Sequence, residues 1–229
     1  MKILLLFMIT LWSFQARAQI RIGIIGGYNY NHLSPNHATS KIFSYSTAAF
    51  RGYNSGFVAE MQLAKYWFLR PGIIINGRGT RLKKIKEGWD DTSCRFIELH
   101  YIEIPLSIIH YWKAGKKSSA FIGAGFYVAR AFRGVEKGLG TSGTGPYYLF
   151  NHVDFSSQNR ENHGLPTVVN PMDHGFNVIA GMERQSVQLL INYGQGFQRV
   201  FPKSLVFEEK FTTRVLSFSA AYFFKTKNK

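Results

Sequence analysis

Residues 101–128 read YIEIPLSIIHYW, then KAGKKSSA, then FIGAGFYV. Ile102, Ile104, Leu106 and Ile108 share one side of an extended chain, opposite Tyr101, Glu103, Pro105 and Ser107. After the Gly/Lys/Ser turn, Ala120, Ile122, Ala124, Phe126 and Val128 form a second apolar row opposite Gly123, Gly125 and Tyr127. Two-residue alternation predicts strands, and two such runs joined by a polar turn predict a hairpin. The wholly apolar row has to face something apolar, whereas the other row mixes acid, hydroxyl, aromatic and glycine. A water-soluble sandwich satisfies this pattern, and so does a barrel that turns its apolar row to lipid and its mixed row to a lumen.

Working outward, the same alternation recurs and predicts eight strands in all. The first, residues 19–30, sets Ile20, Ile22, Ile24, Tyr28 and Tyr30 against Arg21, Gly23, Gly27 and Asn29. The second, 56–63, sets Phe57, Ala59, Met61 and Leu63 against Val58, Glu60 and Gln62; the third, 68–82, sets Leu69, Ile73 and Ile75 against Arg70, Gly72, Asn76 and Arg78. The 101–128 hairpin supplies the fourth and fifth. Strands at 175–183, 187–195 and 212–224 complete the set. The connections between them alternate long, short, medium, short, very long, short, long. In an up-and-down barrel every second connection lies at the same end, which puts all the short ones on one rim. Outer-membrane barrels have that asymmetry, with short periplasmic turns, longer external loops and an even strand number. The expected fold is therefore all-β: an eight-stranded antiparallel up-and-down transmembrane β-barrel, amino terminus in the periplasm. Pro105 inside a strand predicts a bulge or a lost ladder bond, because a closed barrel has no free edge for it.

The chain opens MKILLLFMITLWSFQARAQ, with a single charge at Lys2, an apolar run from Ile3 to Phe14 and a small-x-small site at Ala16–Ala18. This predicts a secretory signal peptide over residues 1–18 and a barrel domain over 19–229. The apolar run is too short to span a bilayer. Cys94 is the only cysteine, so no disulfide framework is available. The formal charge is +15, which falls to +13 once Lys2 and Arg17 leave with the leader. Such a charge suits a phosphate-rich partner. For an exported chain with no recognisable nucleic-acid module, that partner is the anionic membrane surface and not nucleic acid.

At YIEIPLSIIHYW followed by FIGAGFYV, the chain resembles the PorT-like outer-membrane β-barrel family of Bacteroidetes, whose members carry a similar Tyr-x-Glu-Ile-Pro-Leu run and then a Gly-x-Gly strand. Residues 57–84 (FVAEMQLAKYWFLRPGIIINGRGTRLKK) are similar to that family's second and third strands, and 175–196 to its sixth and seventh. These are barrel-building motifs and carry no catalytic signature. The resemblance implies fold and compartment, and through one family member an accessory role in type IX protein secretion.

The expected lumen row holds Arg21, Glu60, Arg70, Arg78, Tyr101, Glu103, Tyr127, Glu183, Gln188 and Asn192. At eight strands a barrel interior is filled by side chains, and buried ions have to be paired or wetted. A structural hydrogen-bond and ion-pair plug is therefore expected in preference to paired acid–base catalysis by Glu60 and Glu103. The seven histidines show no HExxH spacing, and GLGTSGTG at 138–145 lacks the Lys-Ser/Thr ending of a phosphate loop. No enzyme, cofactor or metal is expected. Arg81, Lys83, Lys84 and Lys86 (within RLKKIK) fall where the third strand leaves the bilayer on the long-loop side. Cations there attract anionic head groups, worth roughly 1 kcal/mol each near the surface, with lipopolysaccharide phosphate as the natural partner. The functional expectation is a structural, interaction or secretion-accessory protein that meets an envelope partner through its external loops, above all the Gly134–Pro171 stretch. A narrow channel for small solutes and a soluble periplasmic β-barrel binding protein are the alternatives.

Overall fold

The computed structural model describes residues 20–35, 37–39, 43–86, 92–142, 145–157, 167–203 and 210–224; residues 37–39, 43–45, 84–86, 92–93 and 141–142 are described by backbone alone. Eight long strands carry the architecture: β1 (Ile20–Ser34), β4 (Phe50–Ala64), β5 (Trp67–Lys86), β6 (Thr92–Lys113), β7 (Ser118–Ser142), β11 (Met172–Arg184), β12 (Val187–Gly196) and β13 (Thr212–Phe223). Each pairs antiparallel with its neighbour in sequence, and β1 pairs with β13 through a register that includes Tyr28 opposite Phe218. The ring of hydrogen bonds is closed, so these strands leave no sheet edge within the barrel. Five short strands sit outside the ring: β2 (His37–Thr39), β3 (Phe43–Ala48), β8 (Gly145–His152), β9 (Asp154–Phe155) and β10 (Val168–Val169). β3 continues the sheet from β5, and β8 continues it from β7.

The hairpin connections after β4, β6 and β11 are short and share one rim with Ile20 and Phe223; the longer connections share the other. The alternation read from residues 101–128 decides what faces out. Ile102, Ile104, Leu106 and Ile108 are exposed on the barrel's outside, as are Ile122, Phe126 and Val128 on β7, while Tyr101, Glu103 and Ser107 are buried inside. Exposing so many large apolar side chains in one contiguous belt is untenable in water and is what a lipid-facing wall requires. Gly125 opposite Ser107 allows β6 and β7 their close approach: a Cβ there would lie 2.1 Å from the Leu106 carbonyl oxygen.

Pro105 interrupts the β5–β6 ladder without shifting it. Pro71 pairs with Leu106 and Ile74 with Glu103, and the two pairs between them are unbridged. The sequence expectation of a lost ladder bond therefore describes this site, and a bulge does not form there.

The structure departs from the sequence reading above the long-loop rim. Residues 134–171 are not one long loop: β7 continues to Ser142 and the chain returns as β8. Likewise β5 runs through Lys86 and β6 starts at Thr92, so Lys83–Lys86 lie on strand, not in a loop. On β7 a β-bulge interrupts the alternation: Tyr101 pairs with Ala131 but His100 pairs with Arg133, leaving Phe132 extra. The extra residue reverses which parity faces inward. Ala129 and Ala131 are buried below it, Gly134 and Glu136 above it.

Candidate functional site

The interior is where the sequence concentrates its chemistry. It has four layers from the short-turn rim outward. The first is a charged cluster set among Val58, Tyr111, Phe121, Leu190 and Phe223. Arg21 on β1 grips Glu183 on β11 with both terminal nitrogens, each 2.6 Å from a carboxylate oxygen, and its Nε donates to Glu60 on β4 at 2.6 Å. Arg70 on β5 also donates to Glu60, with Nε at 2.8 Å, and to Gln188 Oε1 at 2.6 Å. The Tyr111 hydroxyl donates to Glu60 Oε1 at 2.8 Å, and Gln188 Nε2 donates to Glu183 and to Tyr111, each at 2.8 Å. Glu60 and Gln188 are fully buried, yet each has several partners. The two guanidinium groups also lie over rings, Arg21 4.6 Å from the Phe223 centroid and Arg70 5.0 Å from that of Phe121.

The second layer is a belt of amides and hydroxyls. Ser219 donates to Asn54 at 3.1 Å, Asn54 to Asn29 at 2.7 Å and Asn29 to Asn76 at 2.5 Å; on the other wall Ser107 donates to Asn177 at 3.1 Å. Asn54, Asn76, Ser107, Asn177, Ser219 and Asn192 line a cavity of about 40 Å³, room for about three waters. Asn192 Oδ1 is buried with no hydrogen-bond partner among the described residues.

The third layer is a second charged cluster. Arg78 donates to Asp173 Oδ2 at 2.6 Å and to Glu103, whose same oxygen accepts from Asn76 at 2.8 Å. Asp173 Oδ2 accepts further bonds from Thr213 at 2.9 Å and Tyr127 at 3.0 Å. The guanidinium lies between two rings, 5.1 Å from the Tyr101 centroid and 5.0 Å from that of Tyr127. The fourth layer closes the outer mouth with hydrocarbon. Val153, Val169, Val200, Phe201 and Phe211 from the outer connections pack on Leu33, Leu82, Ile97 and Leu99 from the strand extensions. Backbone bonds from Asn170 to Val200 and from Val200 to Phe211, each 2.8 Å, tie these connections together.

Nine of the ten lumen residues named from sequence thus fall into two contiguous clusters: Arg21, Glu60, Arg70, Glu183 and Gln188 in one, Arg78, Tyr101, Glu103 and Tyr127 in the other. Asn192 lines the cavity between them. Sequence reasoning missed Tyr111, Asp173 and Thr213. The signal for Tyr111 was available, since it continues the parity of Tyr101 and Glu103, but the apolar Ile109 intervenes. Asp173 precedes the expected start of its strand by two residues and keeps the parity of Gly175 and Asn177. Arg81 and Lys83 face outward and are exposed; the side chains of Lys84 and Lys86 lie outside the described residues. Among the described residues no three His, Cys, Asp or Glu side chains are grouped to hold a metal ion.

A closed ring of eight antiparallel strands with a polar interior, an apolar outer belt and one rim of short turns defines the class of small transmembrane β-barrels. The family model described as outer membrane protein beta-barrel domain matches residues 13–201, and the chain belongs to that family. No match is found among curated proteins. Among solved structures, the chain is similar to the outer membrane protein OprG from Pseudomonas aeruginosa (10% identity, 93% of this chain and 99% of that one, TM-score 0.47). It is also similar to neisserial surface protein A (12% identity, 89% and 97%, TM-score 0.40) and to the Ail protein of Yersinia pestis (10% identity, 90% and 99%, TM-score 0.39).

Proposed function

We propose that this outer-membrane barrel is a non-conducting, non-enzymatic anchor that presents its outer extensions to an envelope partner, as a structural or secretion-accessory protein of the PorT-like branch. In this reading residues 1–18 are removed on export, residues 19–229 form the barrel, and the buried ion clusters hold the wall together. The observation that carries it is the filled interior: two ion clusters bridge the lumen, and the apolar cap around Phe201 and Phe211 closes the outer mouth. A path for solutes would have to break both clusters and the cap. Planar-bilayer recording of the refolded protein tests this; a flat current is expected, and discrete openings at moderate voltage would favour the narrow channel. Cross-linking in intact cells from β8 is expected to recover a protein partner.

A further inference from the structure

Above the membrane the barrel wall does not stop. On β5, Trp67 at the short-turn rim and Gly77 are ten residues apart, about 25 Å along the membrane normal at roughly 3.3 Å per residue and 40° tilt. That equals the apolar band of such barrels, so hydrocarbon ends near Gly77 and its cross-strand neighbour His100. Arg81 stands about 10 Å further out and Lys83 about 15 Å, whereas the head-group layer adds only about 5–8 Å per side.

At that height the outward face carries an ordered pattern. Arg81 pairs across the sheet with Phe96, Phe96 with Lys137, and Lys137 with Phe150. The Arg81 guanidinium lies 5.1 Å from the Phe96 ring centroid, and the Lys137 ammonium 5.9 Å from that of Phe150. One row further out, Lys83 and Tyr148 lie on the same face, three strands apart. Phe150 is 66% exposed and Tyr148 83% exposed, so the rings present open faces. Glu98 is the acid among the described side chains on this face of β5–β8, and it lies 3.3 Å from His100. The patch is therefore cationic and aromatic, and it continues the lipid-facing wall without a break.

We propose that this face binds the phosphorylated sugar head group of an outer-leaflet glycolipid. Arg81, Lys83 and Lys137 would meet the phosphates, and Phe150 and Tyr148 would stack on sugar C–H faces, which the negative face of an aromatic ring attracts. Position selects the ligand. A lipid packed against the belt has its head group at this wall, but a phospholipid head is too short to reach the Arg81 row, and a sugar-bearing one reaches it. The inference deepens the scaffold reading and rests on the orientation fixed by the short turns; conductance tests that reading and leaves this one untouched.

The test is native mass spectrometry of the full detergent-solubilised chain. The probes are a lipid A whose inner-core sugars carry phosphates, the same lipid with the core phosphates removed, and phosphatidylglycerol. The expected result is tightest retention of the first. R81Q/K83Q/K137Q should weaken it at least about tenfold, and Y148A/F150A should weaken it while leaving phosphatidylglycerol binding unchanged. Heat-modifiable gel mobility verifies that each variant is folded. If the triple variant does not fold, K137Q alone and the salt dependence of wild-type binding serve, and both are expected to show loss. Equal retention of phosphatidylglycerol and the phosphorylated glycolipid, or unchanged binding by folded R81Q/K83Q/K137Q, would overturn the proposal.

Discussion

The two charged clusters in the lumen look alike but are balanced differently. Near the short turns, Arg21 and Arg70 face Glu60 and Glu183, so cations and carboxylates are equal in number, and both oxygens of each carboxylate accept hydrogen bonds. Further out, Arg78 alone faces Glu103 and Asp173. There Asp173 Oδ2 accepts from three donors, while Asp173 Oδ1 and Arg78 Nε are buried without a hydrogen-bond partner among the described residues. The inner cluster is redundant at Glu60, which keeps a cation if either arginine is lost, while Glu183 pairs with Arg21. The outer cluster depends on a single guanidinium. Removing one member of a buried ion pair costs about 3–5 kcal/mol, because the survivor is stranded.

That contrast predicts an order of damage. Arg78→Leu strands two carboxylates at once and is expected to be the most harmful change, at or above the upper end of about 3–5 kcal/mol. The check is urea unfolding from lipid vesicles together with loss of heat-modifiable mobility. Arg70→Leu leaves Glu60 paired with Arg21 and bonded to Tyr111 and Gln188, so roughly half that loss is expected. If Arg70→Leu proves the more harmful of the two, redundancy is the wrong description of the inner cluster. Asp173→Asn removes the surplus negative charge and keeps an oxygen where Arg78, Tyr127 and Thr213 donate. Its expected effect is the smallest, within about 1 kcal/mol of wild type: the bonds from Tyr127 and Thr213 become neutral, the one from Arg78 stays charge-assisted through the guanidinium, and relief of the surplus charge offsets part of the loss. A loss as large as that of Arg78→Leu would show that Arg78 needs both carboxylates.

How far the sequence could be read divides along the membrane boundary. Within the belt, one face sees lipid and the other a polar lumen, so strand parity is written directly into residue type. Ile102 and Ile104 against Tyr101 and Glu103 suffice to assign sides, and the partners in each cluster follow from parity. Beyond the belt the inner face meets the apolar cap and the outer face carries aromatic as well as charged side chains, so apolar residues occur on both faces. Val135, Glu136, Lys137, Gly138 and Leu139 then show no clear contrast, and the bulge at Phe132 reverses the phase at that point. The extension of β7, its return as β8 and the cap core built by Phe201 and Phe211 were accordingly invisible. Asp173 was missed for a related reason: it lies at the outer end of its row, just before the apolar alternation of β11 becomes regular.

Ile104 and its row face hydrocarbon, while Ser107 and its row face a packed interior. Nitroxide labels placed singly at Ile104, Ile122, Ser107 and Ser219 in a Cys94→Ser background, in lipid vesicles, measure this by relaxation with oxygen and with an aqueous nickel chelate. The expected result is strong oxygen relaxation with little nickel effect at Ile104 and Ile122, and weak relaxation by oxygen at Ser107 and Ser219. Nickel accessibility at Ile104 and Ile122 equal to that of a freely exposed site would contradict a lipid-facing wall.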